Sequence, residues 1–251
     1  MPDPADCKST VFCKDIQEPA WDGLSDFTVS PTVDVWRISI PQYLNLISNL
    51  YTVLSQEELL RIKKYYREKD KNRFAIGKGM LRIILSGYLK QAPDKIIFGR
   101  GTNRKPFVKE GPHLQFNVSY SKDWILIVVA SDPVGVDIEF INHGFDYENL
   151  LENCFMAPEI LAIRQDPYPA QAFFKFWTRK EALLKATSLG LDDYLTDFSC
   201  LNGMQEMPRT LKLSGDWEVD SFLMEKDYQV SIAHQPLQTI RYCNNPPSLL
   251  S

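Results

Sequence analysis

The sequence has few of the features that mark disulfide-rich, zinc-binding or nucleic-acid-coating proteins. Its five cysteines are scattered, odd in number and never in C-x-x-C spacing, which is typical of free thiols in a reducing cytosol. The net charge of −4 lacks the basic excess of proteins that coat nucleic acid. The three histidines have no metal-ligand spacing, and Walker A, GxGxxG and GxSxG motifs are missing. We therefore expect no structural zinc site, no nucleic-acid partner and no hydrolase triad.

Long apolar runs are also missing. The longest strongly apolar stretch, Trp124 to Ala130, is far shorter than the ~20 residues that cross a bilayer. The first ten residues are polar and contain two prolines, so they lack the apolar run of a signal peptide. Apolar residues at 44% and charged residues at 24% are close to globular averages. We expect a folded cytoplasmic protein without a membrane partner.

The order of predicted elements divides the chain into two halves, giving an α/β (α+β) fold. The first half, residues 1–131, opens on a polar segment broken by proline and glycine, and we expect a loose arm over 1–30. The second half, residues 132–251, ends in a tail that we expect to be mobile over 244–251. Because the second half partly repeats the element order of the first, we expect two α/β subdomains.

Individual elements are predicted from periodicity, capping and turn signals. Ser55, with Glu58 three residues later, predicts a capping box that opens a helix reaching Asp70. Further helices are predicted over 74–89, 146–165 and 169–187. Strands are predicted over 33–40, 95–98, 116–120, 124–130, 134–140, 209–213, 217–224 and 227–234.

Two acidic residues, Asp137 and Glu139, alternate with apolar residues in the segment GVDIE at 135–139. Side chains of a strand alternate between its faces, so the two carboxylates share one face and the apolar pair takes the core face. Their Cα atoms would lie ~7 Å apart, which lets both carboxylates reach one cation. Hard oxygen ligands suit magnesium. The alternative is a strand at the sheet surface with solvated carboxylates.

A second charged set lies on the amphipathic helix predicted at 169–187. At ~100° per residue, its apolar arc contains Lys180, while Glu181 and Lys185 lie together at the edge of the arc, where clefts form. An ordinary i,i+4 salt bridge, worth ~0.3–0.5 kcal/mol, is the alternative. Lys180 argues against a plain surface helix, because an ammonium among large aromatic side chains must snorkel or meet an anion.

Positive charge is concentrated in the segment RIKKYYREKDKNR at 61–73. It has seven lysines or arginines against two acids in a chain whose net charge is −4. Such a segment could bind phosphates, although a solvated helix face explains it equally well. Lys105, Pro106 and Ser119 are further weak candidates near the predicted strands.

In order and spacing, these segments resemble the signatures of the Sfp-type 4'-phosphopantetheinyl transferases. GVDIE at 135–139 is similar to (V/I)G(V/I)D(I/V)E, and FWTRKEALLK at 176–185 is similar to (F/W)-x-x-K-E-x-x-x-K. The resemblance covers roughly residues 55–191. The supporting matches are RF...G at Arg73, Phe74 and Gly77, KP at 105–106 and FN-x-S-x-S at 116–121.

The resemblance implies a pseudo-dimer of two similar α/β subdomains with coenzyme A bound in the cleft between them. Asp137, Glu139 and Glu181 match the acids that hold magnesium against the pyrophosphate of coenzyme A. Lys185 matches the lysine near that pyrophosphate. From the needs of phosphoryl transfer we expect Glu181 and Lys185 to be catalytic: Glu181, directly or through a metal-bound water, would take the proton of the carrier serine, and Lys185 would neutralise the departing adenosine 3',5'-bisphosphate. The implied contacts to coenzyme A are Arg61, Lys69, Arg73, Arg100, Lys105, Pro106, Ser119, Tyr120, Asp137, Lys180 and Lys185.

The implied reaction moves the 4'-phosphopantetheine arm of coenzyme A onto a serine of an apo acyl or peptidyl carrier protein. We expect the enzyme to act as a monomer with an internal pseudo-twofold. The motifs do not distinguish carriers of fatty acid, polyketide or nonribosomal peptide synthesis.

Two positions depart from the family pattern. Tyr120 stands where a phosphate-binding histidine is expected, and a phenol carries no positive charge near pH 7. Ser188-Leu189-Gly190-Leu191 stands where the family favours G-x-G-L. These departures motivate an alternative, a degenerate protein that binds coenzyme A or a carrier without transfer. A third interpretation is another magnesium-dependent enzyme that cleaves nucleotides.

Overall fold

The computed structural model describes residues 9–29, 31–111, 113–189, 194–211 and 213–244, which form β-sheets covered by helices. The strands are β1 (Thr10–Asp15), β2 (Thr32–Ser39), β3 (Phe98–Arg100), β4 (Pro106–Val108), β5 (Gln115–Ser121), β6 (Trp124–Ala130), β7 (Gly135–Phe140), β8 (Gly203–Glu206), β9 (Trp217–Met224), β10 (Tyr228–His234) and β11 (Thr239–Cys243). The helices are α1 (Ile40–Tyr43), α2 (Ile47–Thr52), α3 (Gln56–Ile62), α4 (Glu68–Leu89), α5 (Leu151–Cys154), α6 (Ala157–Gln165) and α7 (Pro169–Thr187). Among these helices, none has the length and apolar character that crossing a bilayer requires.

Two sheets with the same internal connectivity organise the molecule. The four-stranded sheet has the order β11-β2-β6-β5, and the five-stranded sheet has the order β7-β10-β9-β1-β8. In each, the chain passes from one strand through a long helix into an antiparallel strand pair, and the last strand returns beside the first. The two series are β2-α4-β5-β6 and β7-α7-β9-β10. This shared order confirms the prediction of two similar α/β units.

The core lies in layers on both sides of the two sheets. Apolar side chains of one sheet face those of the other, with Val35 and Val128 on the four-stranded side and Val136 and Ile232 on the five-stranded side. The long helices cover the outer faces. The side chains of α4 pack on the four-stranded sheet and those of α7 on the five-stranded sheet. Each large side chain buried in this way contributes about 1.5–3 kcal/mol.

Both ends of the described chain cross to the sheet of the other half. β1 pairs with β9 and β8 in the five-stranded sheet, and β11 pairs with β2 in the four-stranded sheet. The loose arm predicted over 1–30 is therefore wrong over Thr10–Asp15, where Val11 and Cys13 are buried under α7. The division at residue 131 stays a prediction, and the predicted tail lies outside the described residues apart from Asn244.

The predicted starts of α3 and α7 are accurate, but α4 begins at Glu68 rather than at residue 74, and the single helix predicted over 146–165 is wrong, since α5 and α6 form there instead. The capping box of Ser55 and Glu58 is confirmed at the start of α3. The helix predicted to reach Asp70 is interrupted, because α3 ends at Ile62 and the backbone at Arg67 is extended (φ −89°, ψ 135°) before α4 begins. The basic segment therefore forms a turn between two helices.

Two predicted strands are displaced. The strand predicted over 95–98 begins only at Phe98, because Pro93–Lys95 form a 3₁₀ turn. The strand predicted over 209–213 is wrong, since Arg209–Leu211 form a 3₁₀ turn and β8 comes earlier in the chain. Proline begins or precedes each of these turns, and its missing N–H suits a turn better than a strand interior.

Candidate active site

The two sheets meet at their edge strands β5 and β7 through side chains of one strand and the backbone of the other. Alternate residues of β5, Asn117, Ser119 and Ser121, accept hydrogen bonds from the N–H groups of Val136 (3.0 Å), Ile138 (3.3 Å) and Phe140 (2.8 Å). Because strand side chains alternate in direction, the intervening Val118 and Tyr120 face the other side of β5. The edge of β7 is therefore fixed in register against a row of polar side chains.

Three carboxylates and one ammonium lie together between β7 and α7, and we call Asp137, Glu139, Glu181 and Lys185 the acidic site. Asp137 Oδ1 accepts hydrogen bonds from Lys185 Nζ at 2.6 Å and Ser119 Oγ at 2.7 Å. Lys185 Nζ also lies 3.4 Å from Glu181 Oε2. Ser121 Oγ donates to Glu139 Oε2 at 3.3 Å. One ammonium thus joins a carboxylate of the strand to a carboxylate of the helix.

The acidic pair of β7 faces away from Val136 and Ile138, as the alternation predicts. Val136 and Ile138 lie in the core between the sheets. Asp137 is only 2% exposed, so the alternative of a surface strand with solvated carboxylates is wrong for this residue. The reason is that α7 covers this face of the strand.

Gly135 explains how α7 comes so close to β7. A Cβ atom at this position would lie 2.0 Å from the Ala182 carbonyl oxygen and 2.6 Å from the Ala186 nitrogen. Any side chain would therefore push the helix away from the strand. The glycine of the GVDIE motif sets the separation at which Glu181 and Lys185 meet Asp137.

The acidic site has more negative than positive charge. Burial raises the pKa of Glu139 to about 7, and the neighbouring charge of Asp137 acts in the same direction. Burial opposes the charge on Lys185, but Asp137 and Glu181 outweigh it and raise the pKa of Lys185. Within the described parts of the chain, the buried Oδ2 atom of Asp137 has no hydrogen-bond partner. This donor set fits a divalent cation.

The ammonium of Lys185 lies between the acids that would hold such a cation. Over the described residues, Asp137, Glu139 and Glu181 do not form a group of three whose ligand atoms all lie within 4.8 Å of one another. Lys185 Nζ contacts both Asp137 and Glu181. Binding of a cation by all three acids therefore requires the lysine side chain to move.

Three of the seven predicted basic contacts line two adjoining cavities beside α4. One cavity of about 470 Å³ is lined by Arg61, Arg73, Pro106 and Tyr120. The other, of about 610 Å³, shares Arg61 and Pro106 and adds Arg100. We call the two together the basic cavity. Lys69 is exposed near the start of α4 and lines neither part.

Tyr120, which stands at the expected histidine position, is seated on Gly77 in this cavity. A Cβ atom on Gly77 would lie 2.4 Å from the Tyr120 hydroxyl, so the glycine provides the space for the ring. Burial raises the pKa of Tyr120 to about 12, which keeps the phenol neutral. The guanidinium of Arg73 lies 5.3 Å from the ring centroid and supplies a positive charge beside it.

Lys105 connects the hairpin of β3 and β4 to the second half of the chain. Its ammonium donates to the carbonyl oxygens of Ala186 at 3.0 Å and Val134 at 3.4 Å. Burial lowers the pKa of Lys105 to about 8. Ala186 directly follows Lys185 of the acidic site, and Pro106, which directly follows Lys105, lines the basic cavity. Lys105 therefore lies at the junction between that site and the basic cavity.

Lys180 lines neither part of the basic cavity, so its predicted contact with coenzyme A finds no support in its position. Its side chain and that of Glu159 are both 0% exposed and form an ion pair at 2.9 Å. The ammonium also donates to the carbonyl oxygens of Leu195 and Phe198. We call Lys180, Glu159 and these carbonyls the closed cluster. The expectation that Lys180 must meet an anion is confirmed, since Glu159 is that anion.

Several residues of the site were missed from the sequence. Lys78 lines both parts of the basic cavity, and burial, with the charges of Arg61 and nearby arginines, lowers the pKa of Lys78 against the opposing charge of Glu58. It follows Phe74 by one helical turn, a spacing that could have indicated it. Ser121 and Asn117 belong to the FN-x-S-x-S segment but were not predicted as site residues. Of the unusual turn, Gly190 and Leu191 lie outside the described residues.

Comparisons with known proteins cover nearly the whole described chain. A family profile described as "4'-phosphopantetheinyl transferase superfamily" matches residues 133–233, and one described as "4'-phosphopantetheinyl transferase, N-terminal" matches residues 35–133. The 4'-phosphopantetheinyl transferase HetI of Nostoc sp. is 34% identical over 65% of this chain and 71% of its own.

Two further relatives carry the same description. The 4'-phosphopantetheinyl transferase psf-1 of Bacillus pumilus is 30% identical over 74% of this chain and 81% of its own. The transferase Sfp of Bacillus subtilis is 25% identical over 58% of this chain and 65% of its own. With the duplicated α/β connectivity and the two motifs meeting at the acidic site, these similarities confirm the predicted fold and assign the chain to the 4'-phosphopantetheinyl transferase superfamily.

Proposed function

We propose that this protein transfers 4'-phosphopantetheine from coenzyme A to a serine hydroxyl of an apo carrier protein and releases adenosine 3',5'-bisphosphate. The observation that carries the proposal is the position of β5 between two sites of opposite charge. Ser119 contacts the acidic site, while the next residue, Tyr120, lines the basic cavity. A ligand that has a pyrophosphate and a further phosphate on its nucleotide needs both kinds of site at short range.

The basic cavity would hold the nucleotide end of coenzyme A. Arg61, Arg73 and Lys78 line it and give it positive charge, and the neutral Tyr120 can donate one hydrogen bond to a phosphate oxygen. Arg100 extends the positive surface into the adjoining cavity. Lys105, at the junction, would lie near the phosphates that connect the two sites.

The acidic site would supply the proton acceptor and the charge that stabilises the leaving group. Glu181 would accept the hydroxyl proton as the serine oxygen forms its bond to the phosphorus that carries the pantetheine arm. The bond from this phosphorus to the bridging oxygen of the pyrophosphate breaks, and that oxygen leaves with the nucleotide. Lys185 would then neutralise the negative charge of the released bisphosphate. Magnesium, held by Asp137, Glu139 and Glu181, would neutralise pyrophosphate charge when bound. The unpaired Oδ2 of Asp137 and the raised pKa of Glu139 support a cation there.

A transfer assay tests the proposal directly. The protein is incubated with coenzyme A, magnesium and a panel of apo acyl and peptidyl carriers, and the mass gain of each carrier is measured. Glu181→Gln should lower the rate by about 10²–10⁴-fold, the range for a lost general base. Glu152→Gln, an exposed glutamate of α5, is the matched control and should retain the wild-type rate.

The same panel separates the rival functions. A protein that only binds coenzyme A would leave the mass of every carrier unchanged. A nucleotide-cleaving enzyme would release adenosine 3',5'-bisphosphate when no carrier is present. Retention of the wild-type rate by Glu181→Gln would contradict the role of this residue, and the carriers that gain mass would define the substrate class.

A further inference from the structure

A second cluster of potential metal ligands lies on the other face of the five-stranded sheet. Glu218 and Asp220 of β9 and His234 of β10 each offer one ligand atom, and these atoms all lie within 4.8 Å of one another. His234 is paired in register with Glu218. No other group of three or more histidine, cysteine, aspartate or glutamate ligands meets this condition in the part of the chain that the structure describes. We call these three residues the His234 cluster.

The alternation of β9 and β10 separates this cluster from the acidic site. Ser221 accepts a hydrogen bond from Arg179 Nε of α7 at 2.8 Å, and Ser231 lies 2.8 Å from the hydroxyl of Thr178 on the same helix. Their neighbours along the strands therefore face away from α7. Asp137 is on the α7 side, paired in register with Ser231. The two groups of ligands lie on opposite faces of one sheet.

The imidazole of His234 is oriented as a metal ligand would be. Its Nδ1 lies 2.8 Å from the backbone carbonyl oxygen of Gln235. A carbonyl only accepts hydrogen bonds, so Nδ1 carries the proton, and Nε2 of the neutral ring presents a lone pair. Nε2 lies 3.9 Å from Asp220 Oδ2, which is too far for a hydrogen bond. A backbone acceptor on Nδ1 is the usual way in which proteins orient a ligating histidine.

One polar atom of the cluster is buried without any partner among the described residues, the Nε2 atom of His234. His234 is 2% exposed and Asp220 is 7% exposed. Asp220 Oδ1 has the Lys14 ammonium at 3.2 Å, whereas His234 Nε2 has no hydrogen-bond partner among the described residues and its nearest acidic atom, Asp220 Oδ2, is 3.9 Å away. Leaving a buried ring nitrogen without a partner is unfavourable, and a bound ion would remove this penalty.

We propose that Glu218, Asp220 and His234 bind one divalent transition metal, and that zinc is the ion that fits best. An imidazole with two carboxylates suits zinc, whereas magnesium prefers oxygen ligands alone. Ligand atoms around tetrahedral zinc lie about 3.4 Å apart, so the three side chains need to approach by roughly 1 Å. The site is independent of coenzyme A and of the proposed transfer. It was not foreseen because its ligands come from two strands and have no sequence spacing of their own.

Lys14 of β1 neutralises the cluster when no metal is bound. Its ammonium lies 3.0 Å from Glu218 and 3.2 Å from Asp220. The Lys14 side chain is 38% exposed, so it can turn to solvent when a metal enters. The lysine therefore competes with the ion, and Lys14→Met should tighten binding.

Zinc titration of the full chain tests the site. The protein is freed of metal, held in excess magnesium to occupy the acidic site, and titrated with Zn²⁺ by calorimetry against a competing chelator. Wild type should bind one ion, Lys14→Met should bind it more tightly, and His234→Gln should bind it at least about 10-fold more weakly. His143→Gln, an exposed histidine, is the matched control. If His234→Gln does not fold, Glu218→Gln, with a side chain that is 25% exposed, takes its place.

Cobalt provides a spectrum that identifies the ligands. Co²⁺ bound to imidazole and carboxylates should give visible bands without a thiolate charge-transfer band. The proposal is overturned if wild type and Lys14→Met bind no zinc, if His234→Gln or Glu218→Gln binds it as well as wild type, or if the cobalt spectrum shows thiolate ligands. Each of these results leaves the carrier assay unchanged, so failure here is distinct from failure of the proposed transferase.

Discussion

Lys180 and Lys185 are five residues apart on α7, yet they lie in two different kinds of charged region. In the closed cluster, Lys180 has Glu159 and two backbone carbonyls as partners, one for each of its N–H donors. In the acidic site, Lys185 faces several carboxylates and is 24% exposed. Sequence alone presents both as motif lysines on one helix.

This contrast shows which charged side chains are available to a ligand. The closed cluster is fully paired and excluded from solvent, so it can only stabilise the packing of α7 against α6 and residues 195–198. The acidic site has an unpaired oxygen on Asp137 among the described residues, and a carboxyl, Glu139, whose pKa is raised to about 7. A region that is short of positive charge in the free protein is where a cation and a phosphorylated substrate can bind.

The largest expected effect on stability is in the closed cluster. Glu159→Gln leaves the buried ammonium of Lys180 without its counter-charge, and breaking one side of a buried ion pair costs about 3–5 kcal/mol. Urea unfolding measures this loss. Glu148→Gln is the control, because its pair with Arg164 is about half exposed and such pairs contribute about 0–1 kcal/mol. Equal losses in the two variants would show that the closed cluster is not a structural ion pair. Transfer per folded molecule should stay at the wild-type level in both.

A smaller effect is expected from Gly135→Ala, which changes the acidic site and leaves the closed cluster intact. The added methyl group would meet the Ala182 carbonyl oxygen, so α7 must shift away from β7 at a cost of about 1–3 kcal/mol. The shift separates Glu181 and Lys185 from Asp137. The transfer rate per folded molecule should therefore fall, in addition to the loss in the free energy of unfolding. Gly144→Ala is the control, since its Cβ would meet only Asn142 Oδ1 at an ordinary 3.6 Å. Wild-type transfer by Gly135→Ala would contradict the proposed role of the spacing.

The elements with strong local patterns were predicted well. The predicted bounds of α7 and of strands β6 and β9 match the structure, because the amphipathic helix, the apolar run of β6 and the mixed pattern of β9 are encoded by their own side chains. The short strands β1, β8 and β11 were missed. Thr10 pairs with Glu206, and Thr239 pairs with Thr32, so their stability depends on residues some two hundred positions away.

The site was predicted in part for the same reason. Spacing placed Asp137 on one face of its strand and Glu181 with Lys185 at the edge of one helix face, and the family resemblance implied that these groups meet, as they do in the structure. Spacing could not show that Lys180 is covered by Glu159 from α6, because that depends on how separate helices pack. The His234 cluster is a further case, since its three ligands converge only after β9 and β10 pair.

The smallest expected effect is a pH-dependent change in stability at Glu139, and it separates the two regions most sharply. The folded-state pKa of about 7 lies above the ordinary value of 4.5, because burial and Asp137 oppose ionisation. The folded protein therefore holds this proton more tightly than the unfolded chain does. Stability is lost as the pH rises from about 4.5 to about 7, and the full cost is present above pH 7.

Glu139→Gln removes this ionisation, so the variant should be about 1–2 kcal/mol more stable than wild type at pH 8, after allowance for solvent screening, and equal to it at pH 4. Urea unfolding in the absence of divalent cations measures the difference, with Glu152→Gln as a control whose difference should not depend on pH. Magnesium at pH 8 should stabilise wild type more than Glu139→Gln, because the cation binds the ionised carboxylate. A difference that did not change with pH would mean that Glu139 is as fully compensated as Glu159, and the distinction between the closed cluster and the acidic site would fail.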